Sequence, residues 1–404
     1  MTSSSLPACA SSPVAAAPAV LHQAGRVVAG AGCLQRLPEL IAGRVSRHLL
    51  LLTGRVVDAA SPVAPVIAAL RATGLRVTVL DPVPPEPLEG DVDALLAAAQ
   101  AAAESAEPID GVVGIGGGSA IDVAKVIAVL LAQPVTLRAL LSGMPVPGRG
   151  LPTVMVPTTA GTGAEATPNS IILVPQDALK IGIVSPHLLP DLVLLDPELT
   201  VTLPPAVTAH TGIDALCHAI ECYTSRKANL FSDLYGLEAI RLIGRSIRRA
   251  FADGADLAAR QDMLLGSYYG GVCIATSSTT AVHALAYPLG GRYRVPHGLS
   301  NAMLLPTVMA FNRVGSQARF AAMARALGVA VDGLDDEAAS LAFVEALHQL
   351  NADLGIATRL GDLGVTEADL DALVEGAARV TRLLDNNPRP MARADLRALY
   401  AAVL

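Results

Sequence analysis

The sequence predicts an α/β N-terminal domain built on a parallel sheet, followed by an all-helical C-terminal domain. Three observations predict it. From about residue 25 to residue 200, short β-branched runs alternate with Ala-rich stretches, the rhythm of parallel strands covered by helices. From about residue 207 onward the strand signals give way to long amphipathic stretches with apolar residues three and four apart. A chain of 404 residues also exceeds the size at which one core stops growing, so two domains of roughly 200 residues each are expected.

In chain order, residues 1–24 are rich in Ser, Ala and Pro and lack the basic start and continuous apolar stretch of a secretory signal, which reads as a disordered leader. The α/β domain is placed at 25–200, with strands in HLLLLT (48–53), LRVTVLD (75–81), GVVGIGG (111–117) and TVMVPTT (153–159). The junction falls in LLDPELTVTLPPAV (194–207), where Asp196-Pro197 and Pro204-Pro205 punctuate the chain. The helical domain is placed at 201–404 and opens with ALCHAIECYTSRK and LYGLEAIRLIGRSIRRAF.

Composition narrows the function classes. Hydrophobic residues make up 52% of the chain against 16% charged, which describes a well-buried globular protein and not a disordered one. A formal net charge of -7 offers no basic surface for phosphate backbones or anionic lipid, so no nucleic-acid partner is expected. Every apolar run is broken before the ~18 to 20 residues of a bilayer crossing, so no membrane span is expected. The five cysteines are scattered with no CxxC pair, which fits reduced thiols in a cytoplasm.

Two loops carry phosphate-binding chemistry. GVVGIGGGSAIDVAK (111–125) runs an apolar strand into three glycines and then a helix, opened by Ser119 with Asp122 three residues later as its capping partner. Glycines let backbone amides approach a ligand, and a helix N-terminus favours a pyrophosphate. Gly-rich turns of this kind also occur in doubly wound folds that bind nothing, and the register is not GxGxxG. A second turn, VPTTAGTGAEAT (156–167), adds Thr158, Thr159 and Thr162 with Gly161 and Gly163 after another strand.

The helical half carries metal-ligand chemistry. Asp214 and His218 in TGIDALCHAIE form an i, i+4 pair on one helix face. His283 lies in AVHALAYPLGG on another helix, and His297 lies in VPHG, where Pro296 and Gly298 allow a turn that aims the ring inward. Together they make a mixed N/O set. Each histidine alone reads more often as a hydrogen-bonded core residue than as a ligand; His22, His48, His187 and His210 lack a partner at ligand spacing and are given no role.

GGGSAIDVAK, PTTAGTGAEAT, TGIDALCHAIE and AVHALAYPLGGRYRVPHG resemble, in order and spacing, the iron-containing (group III) alcohol dehydrogenase family, with LLDPELTVTLPP and NNPRP (386–390) in support. The resemblance covers about residues 25 to 400. It implies a dinucleotide-binding α/β domain and a helical domain in a dehydroquinate synthase-like architecture, with the active site in the cleft between them. Asp214, His218, His283 and His297 match the family's metal ligands. Gly117, Gly118, Ser119, Asp122, Thr158, Thr159, Thr162 and Lys180 match its cofactor contacts, and Asn169 matches a position beside the substrate. The implied enzyme passes a hydride between NAD or NADP and a small alcohol or aldehyde while the metal polarises the substrate oxygen. The implied metal is iron(II), with zinc(II) also suited to such ligands. The implied assembly is a homo-oligomer, a dimer. Two other readings remain: a zinc-dependent glycerol dehydrogenase-like or carbocycle-forming enzyme of the same fold, and a nucleotide-binding scaffold without catalysis.

Two positions depart from the family pattern. Where many NAD-using relatives carry an Asp at the end of the first strand, this chain reads LLTGRVV with Gly54. Either that removes the partner of the ribose hydroxyls and the repulsion of a 2′-phosphate, with Arg55 beside it to pair with one, or Gly54 only permits a turn. Tyr287, four residues after His283, stands where several relatives carry a His implied in proton transfer; Tyr either relays a proton or only packs.

Overall fold

The computed structural model describes residues 18–105, 107–174, 179–357 and 359–404. Most of the expected leader, residues 1–17, therefore lies outside the described residues. Strands β1 (Val27–Ala29), β2 (His48–Thr53), β3 (Arg76–Leu80), β4 (Gly111–Gly116), β5 (Thr153–Pro157) and β8 (Leu192–Leu195) form a six-stranded sheet in the order β1-β8-β5-β4-β2-β3. All its pairings are parallel. Strands β6 (Asn169–Val174) and β7 (Leu179–Val184) form a separate antiparallel pair.

The apolar runs of β2, β4 and β5 are explained by burial on both faces. Leu50, Leu52, Val112 and Met155 pack toward Ile121, Ala124 and Ile127 of the Gly118–Ala132 helix, whereas Leu49, Leu51, Val113, Ile115, Val154 and Val156 pack toward Leu34, Ile67 and Leu70 on the other side. This is the two-residue alternation of a strand, made invisible in the sequence because both faces are apolar. Gly114 permits the helix to lie close: a Cβ there would sit 2.7 Å from Ala124 Cβ and 2.9 Å from Met155 Sδ.

Strand order reverses direction between β2 and β4, since β3 lies outward on one side and β5 on the other. At such a switch point the C-terminal ends of two strands diverge and open a crevice. Gly54 follows β2 there, its amide donating to Ile115 O at 3.3 Å, and Gly116–Gly118 follows β4.

From Pro205 the chain is helical, with long segments at Pro205–Thr224, Leu230–Ala252, Leu257–Thr276, Ala281–Tyr293 and His297–Asn312. Their shared core includes Ile213, Leu216, Ile220, Ile243, Leu264, Leu285, Phe320 and Phe343. Asn229, Asp256 and Asp335 cap helices as short polar side chains do, Asp256 accepting from Ala259 N at 3.0 Å. No helix of the described residues is long and apolar enough to cross a membrane.

The two halves meet on glycines. Gly163, at φ 58°, leaves no room for a side chain: a Cβ there would lie 2.7 Å from Gly271 Cα in the Leu257–Thr276 helix. A Cβ on Gly161 would meet Thr211 Cβ at 2.7 Å. The Thr158–Asn169 loop is thereby wedged between the sheet and the helices.

Candidate metal centre and nucleotide crevice

The Pro205–Thr224 helix sets Asp214 and His218 one turn apart, buried, and on one face. The start of the His297–Asn312 helix presses against it through Gly298, where a Cβ would lie 2.4 Å from His210 O. That approach brings His297 beside Asp214. His283 enters from the first turn of the Ala281–Tyr293 helix, its ring stacked on His218 with centroids 4.7 Å apart and edge-on to His297 at 5.3 Å.

The result converges on one oxygen. Asp214 Oδ1 lies 3.8 Å from His218 Nε2, 3.8 Å from His283 Nε2 and 3.8 Å from His297 Nε2. Ligand atoms of Asp214, His283 and His297 all fall within 4.8 Å of one another, and His218 joins the group through Asp214. Asn301, one turn beyond His297, points Nδ2 into the group, 2.6 Å from Asp214 Oδ1 and 3.2 Å from Nε2 of both His283 and His297.

Electrostatics favour a cation here. Burial works against ionising Asp214, but the surrounding His218, His297 and His283 with the Asn301 hydrogen bond outweigh it and hold the carboxyl below its ordinary value. Burial pushes His297 down to about 4 and also lowers His218, so both rings are neutral at neutral pH. A carboxylate and three imidazoles, buried and convergent, are the donor chemistry that a divalent transition metal takes, and the residues therefore fit one.

A second grouping, Cys217, Glu221 and His283, sits on the far side of the His283 ring. Burial, with Glu221 and Asp214 nearby, raises the Cys217 thiol well above its ordinary value, so it offers no thiolate. Glu221 is already committed: Oε1 accepts from Thr280 Oγ1 and Val282 N, each at 2.7 Å, and Oε2 contacts His283 Nδ1. Sequence reading gave Glu221 no role, although it lies seven residues after Asp214, two helical turns along the same face.

The nucleotide crevice is built from both glycine loops. Thr158 N donates to Gly116 O at 2.9 Å, and a Cβ on Gly118 would lie 2.9 Å from both Thr162 Oγ1 and Cγ2. A Cβ on Gly117 would stand 3.6 Å from Thr159 Oγ1. The half-buried start of the Gly118–Ala132 helix, with bare glycines and threonine hydroxyls facing it, fits a phosphate group.

Two expectations about this helix change. Gly117, not Ser119, is the N-cap, and no side chain caps the helix. Ser119 lies in the first turn and its Oγ accepts from Glu86 N at 3.1 Å. Asp122 is no capping partner: it faces inward, accepting from Ile171 N at 3.1 Å with Oδ2 and standing 3.3 Å from Lys125 Nζ with Oδ1. Lys125, to which the sequence reading gave no role, is buried and donates to Ala164 O at 2.8 Å, Thr167 O at 3.2 Å and Asn169 O. It fastens the second loop to the first helix because a buried ammonium must find acceptors.

Lys180 on β7 pairs with Glu86 at 2.6 Å, and its charge reaches across to lower His297. Asn169 begins β6, half-buried. Tyr287 is half-buried with its ring 6.0 Å from that of His297, and burial raises its phenol, so it stays protonated. Gly54 is exposed at the switch point, where a Cβ would meet only Ala120 Cβ at 3.8 Å. His48 proves a core histidine, its ring nitrogens on Glu107 O at 2.7 Å and Thr78 Oγ1 at 2.8 Å.

A family model described as iron-containing alcohol dehydrogenase matches residues 24–197, and one described as Fe-containing alcohol dehydrogenase family, C-terminal, matches residues 208–404. The chain belongs to the iron-containing alcohol dehydrogenase family. Among curated members, it is 40% identical over 377 residues to long-chain-alcohol dehydrogenase 1 of Geobacillus thermodenitrificans, covering 92% of this chain and 93% of that one. Among solved members, a 1,3-propanediol oxidoreductase superposes with a TM-score of 0.90 at 32% identity, covering 96% of this chain and 100% of that one. A sulfoacetaldehyde reductase from Bifidobacterium kashiwanohense, solved in complex with NAD+, superposes with a TM-score of 0.84 at 28% identity over 96% and 98% of the two chains. The chain is thus an alcohol and aldehyde oxidoreductase of this family, with its parallel-sheet domain and helical domain in the family arrangement.

Proposed function

We propose that Asp214, His218, His283 and His297 hold one divalent metal, iron(II), and that the crevice at Gly117, Gly118, Ser119, Thr158, Thr159, Thr162 and Lys180 holds NAD or NADP, for hydride exchange with a small alcohol or aldehyde. The observation that carries this reading is the single Asp214 oxygen 3.8 Å from three imidazole nitrogens. When bound, the metal supplies Lewis-acid polarisation of the substrate oxygen and the nicotinamide supplies or takes the hydride.

The chain's own residues do the rest. Asp214 brings the negative charge that a dication needs in a buried setting, and the depressed His218 and His297 keep their lone pairs available. Gly117 and Gly118 admit phosphate oxygens to the backbone amides, the three threonines offer hydroxyl donors, and Lys180 offers the positive charge on the His297 side. Asp122 contributes from behind, by holding the helix start on β6. Tyr287 keeps a proton beside His297 and presents it as a hydrogen-bond donor to a substrate oxygen, and Asn169 borders the same cleft.

The free thiols Cys33, Cys217, Cys222 and Cys273 suit a cytoplasmic enzyme, and a homodimer is the assembly this reading carries. Gly54 leaves room for the 2′-phosphate of NADP, so this chain accepts NADP as well as NAD. Zinc(II) shares the donor preference and is the competing metal.

The test is turnover. Protein purified without oxygen and reconstituted with iron(II) or zinc(II) should oxidise NADH or NADPH in the presence of short aldehydes. Consumption of neither cofactor across neutral and anionic short aldehydes, with metal bound, would reject the hydride-transfer reading.

A further inference from the structure

The structure assigns Glu221 as the positioning residue that fixes which nitrogen of His283 carries the proton, an inference that rests on the metal-centre reading above. Glu221 is fully buried and comes from the same helix as Asp214 and His218, reaching behind the His283 ring. Its Oε1 accepts from Thr280 Oγ1 and from Val282 N, the second a first-turn amide of the helix that carries His283. Such amides lack an intrahelical partner and, with the helix dipole, favour an anionic acceptor. The carboxylate is thereby locked in one orientation, with Oε2 directed at His283 Nδ1.

An acceptor at Nδ1 requires the proton there and leaves Nε2 as the lone-pair end. A second contact agrees from the opposite side. Asn301 Nδ2, an N–H donor, lies 3.2 Å from His283 Nε2. The amide cannot be turned over, because its oxygen would then face Asp214 Oδ1 at 2.6 Å, carbonyl against carboxylate. His283 is thus held as the Nδ1–H tautomer by Glu221 behind, with Nε2 toward Asp214 and the two N–H bonds of Asn301 shared among Asp214 Oδ1, His283 Nε2 and His297 Nε2. A buried carboxylate thus stands behind the His283 ring, and the fold itself dictates the protonation pattern of this ligand.

The substitution Glu221→Gln separates this role from packing. Its side-chain oxygen still accepts from Thr280 and Val282, but its amide now donates toward Nδ1, which drives the proton to Nε2. Cobalt(II) titration of the full chain, in competition with a chromophoric chelator, should show Glu221→Gln binding 10- to 100-fold more weakly, roughly the usual effect of losing a carboxylate behind a metal-bound histidine. Glu221→Asp, which keeps a carboxylate acceptor, should recover part of that affinity and restore the wild-type visible cobalt spectrum. Wild-type affinity in Glu221→Gln, or equal weakening in both variants, overturns the assignment. Should Glu221→Gln fail to fold by circular dichroism, the decision passes to long-range proton–nitrogen NMR of His283 in the wild-type chain: a proton on Nδ1 is expected, and one on Nε2 overturns it. That NMR result stands even if the wild-type chain binds no cobalt(II), an outcome that would reject the metal centre alone.

Discussion

Gly163 and Gly271 touch across the seam between the sheet and the helices, so closely that a Cβ on Gly271 would sit 2.3 Å from Gly163 O. This contact sets the distance between the threonine loop and the helical domain that carries Asp214. Gly271→Ala is expected to force backbone apart, with an overpacking loss of about 1–3 kcal/mol. Urea unfolding reads the stability, and kcat/KM should fall further than the stability alone explains, because the crevice and the histidines no longer face each other in register. An unchanged kcat/KM would show that the seam does not set catalytic geometry.

Gly54 offers a test of cofactor choice that needs no repacking, since a side chain there meets only Ala120 Cβ at 3.8 Å. Gly54→Asp should shift the ratio of kcat/KM for NADH over NADPH toward NADH by about tenfold, equivalent to about 1.4 kcal/mol of repulsion of a 2′-phosphate. Steady-state kinetics with both cofactors measures it, and an unmoved ratio would remove Gly54 from the specificity argument.

Glu165 predicts a pH dependence of stability away from the metal centre. It is buried beside Lys125 and Asp122 and its Oε1 has no hydrogen-bond partner, and burial raises its carboxyl from 4.5 to about 7. Below the ordinary glutamate value both folded and unfolded chains hold the proton. As pH rises from there to about 7 the unfolded chain has released it and the folded chain has not, so stability falls; above about 7 the loss is complete. The loss attributable to this group is about 3 kcal/mol in order of magnitude. Glu165→Gln should flatten this part of the profile and be the more stable protein at pH 8, read from urea midpoints across pH. A wild-type profile in the variant would contradict the assignment.

Much of this was legible in the chain. HLLLLT, GVVGIGG and TVMVPTT announced β2, β4 and β5 because a strand buried on both faces is a continuous apolar run, and Asp214 with His218 announced a ligand pair because helix spacing is local. The structure then brings His283 and His297 to that pair. Four strands were not read. Val27–Ala29 is too short to show a pattern, Leu192–Leu195 was absorbed into the junction, and the β6–β7 pair is defined by its partner strand and not by its own residues. Ser119 and Asp122 were misplaced locally for one reason: their partners, Glu86 and Ile171, lie 33 and 49 residues away in sequence, and the role of Lys125 was missed likewise, with Ala164 39 residues away. Glu221 was hidden likewise, its spacing visible but its acceptor role set by where the helix bearing His283 begins.

The most direct test of the central claim is elemental analysis of metal per chain, after iron(II) reconstitution and desalting, for wild type, Asp214→Ala and His297→Ala, with circular dichroism establishing that each is folded. The account predicts a single divalent ion per wild-type chain, and folded variants that retain little metal and no aldehyde-dependent oxidation of NADH or NADPH. Folded variants that keep the ion, or that turn over aldehyde at the wild-type rate without it, would contradict it.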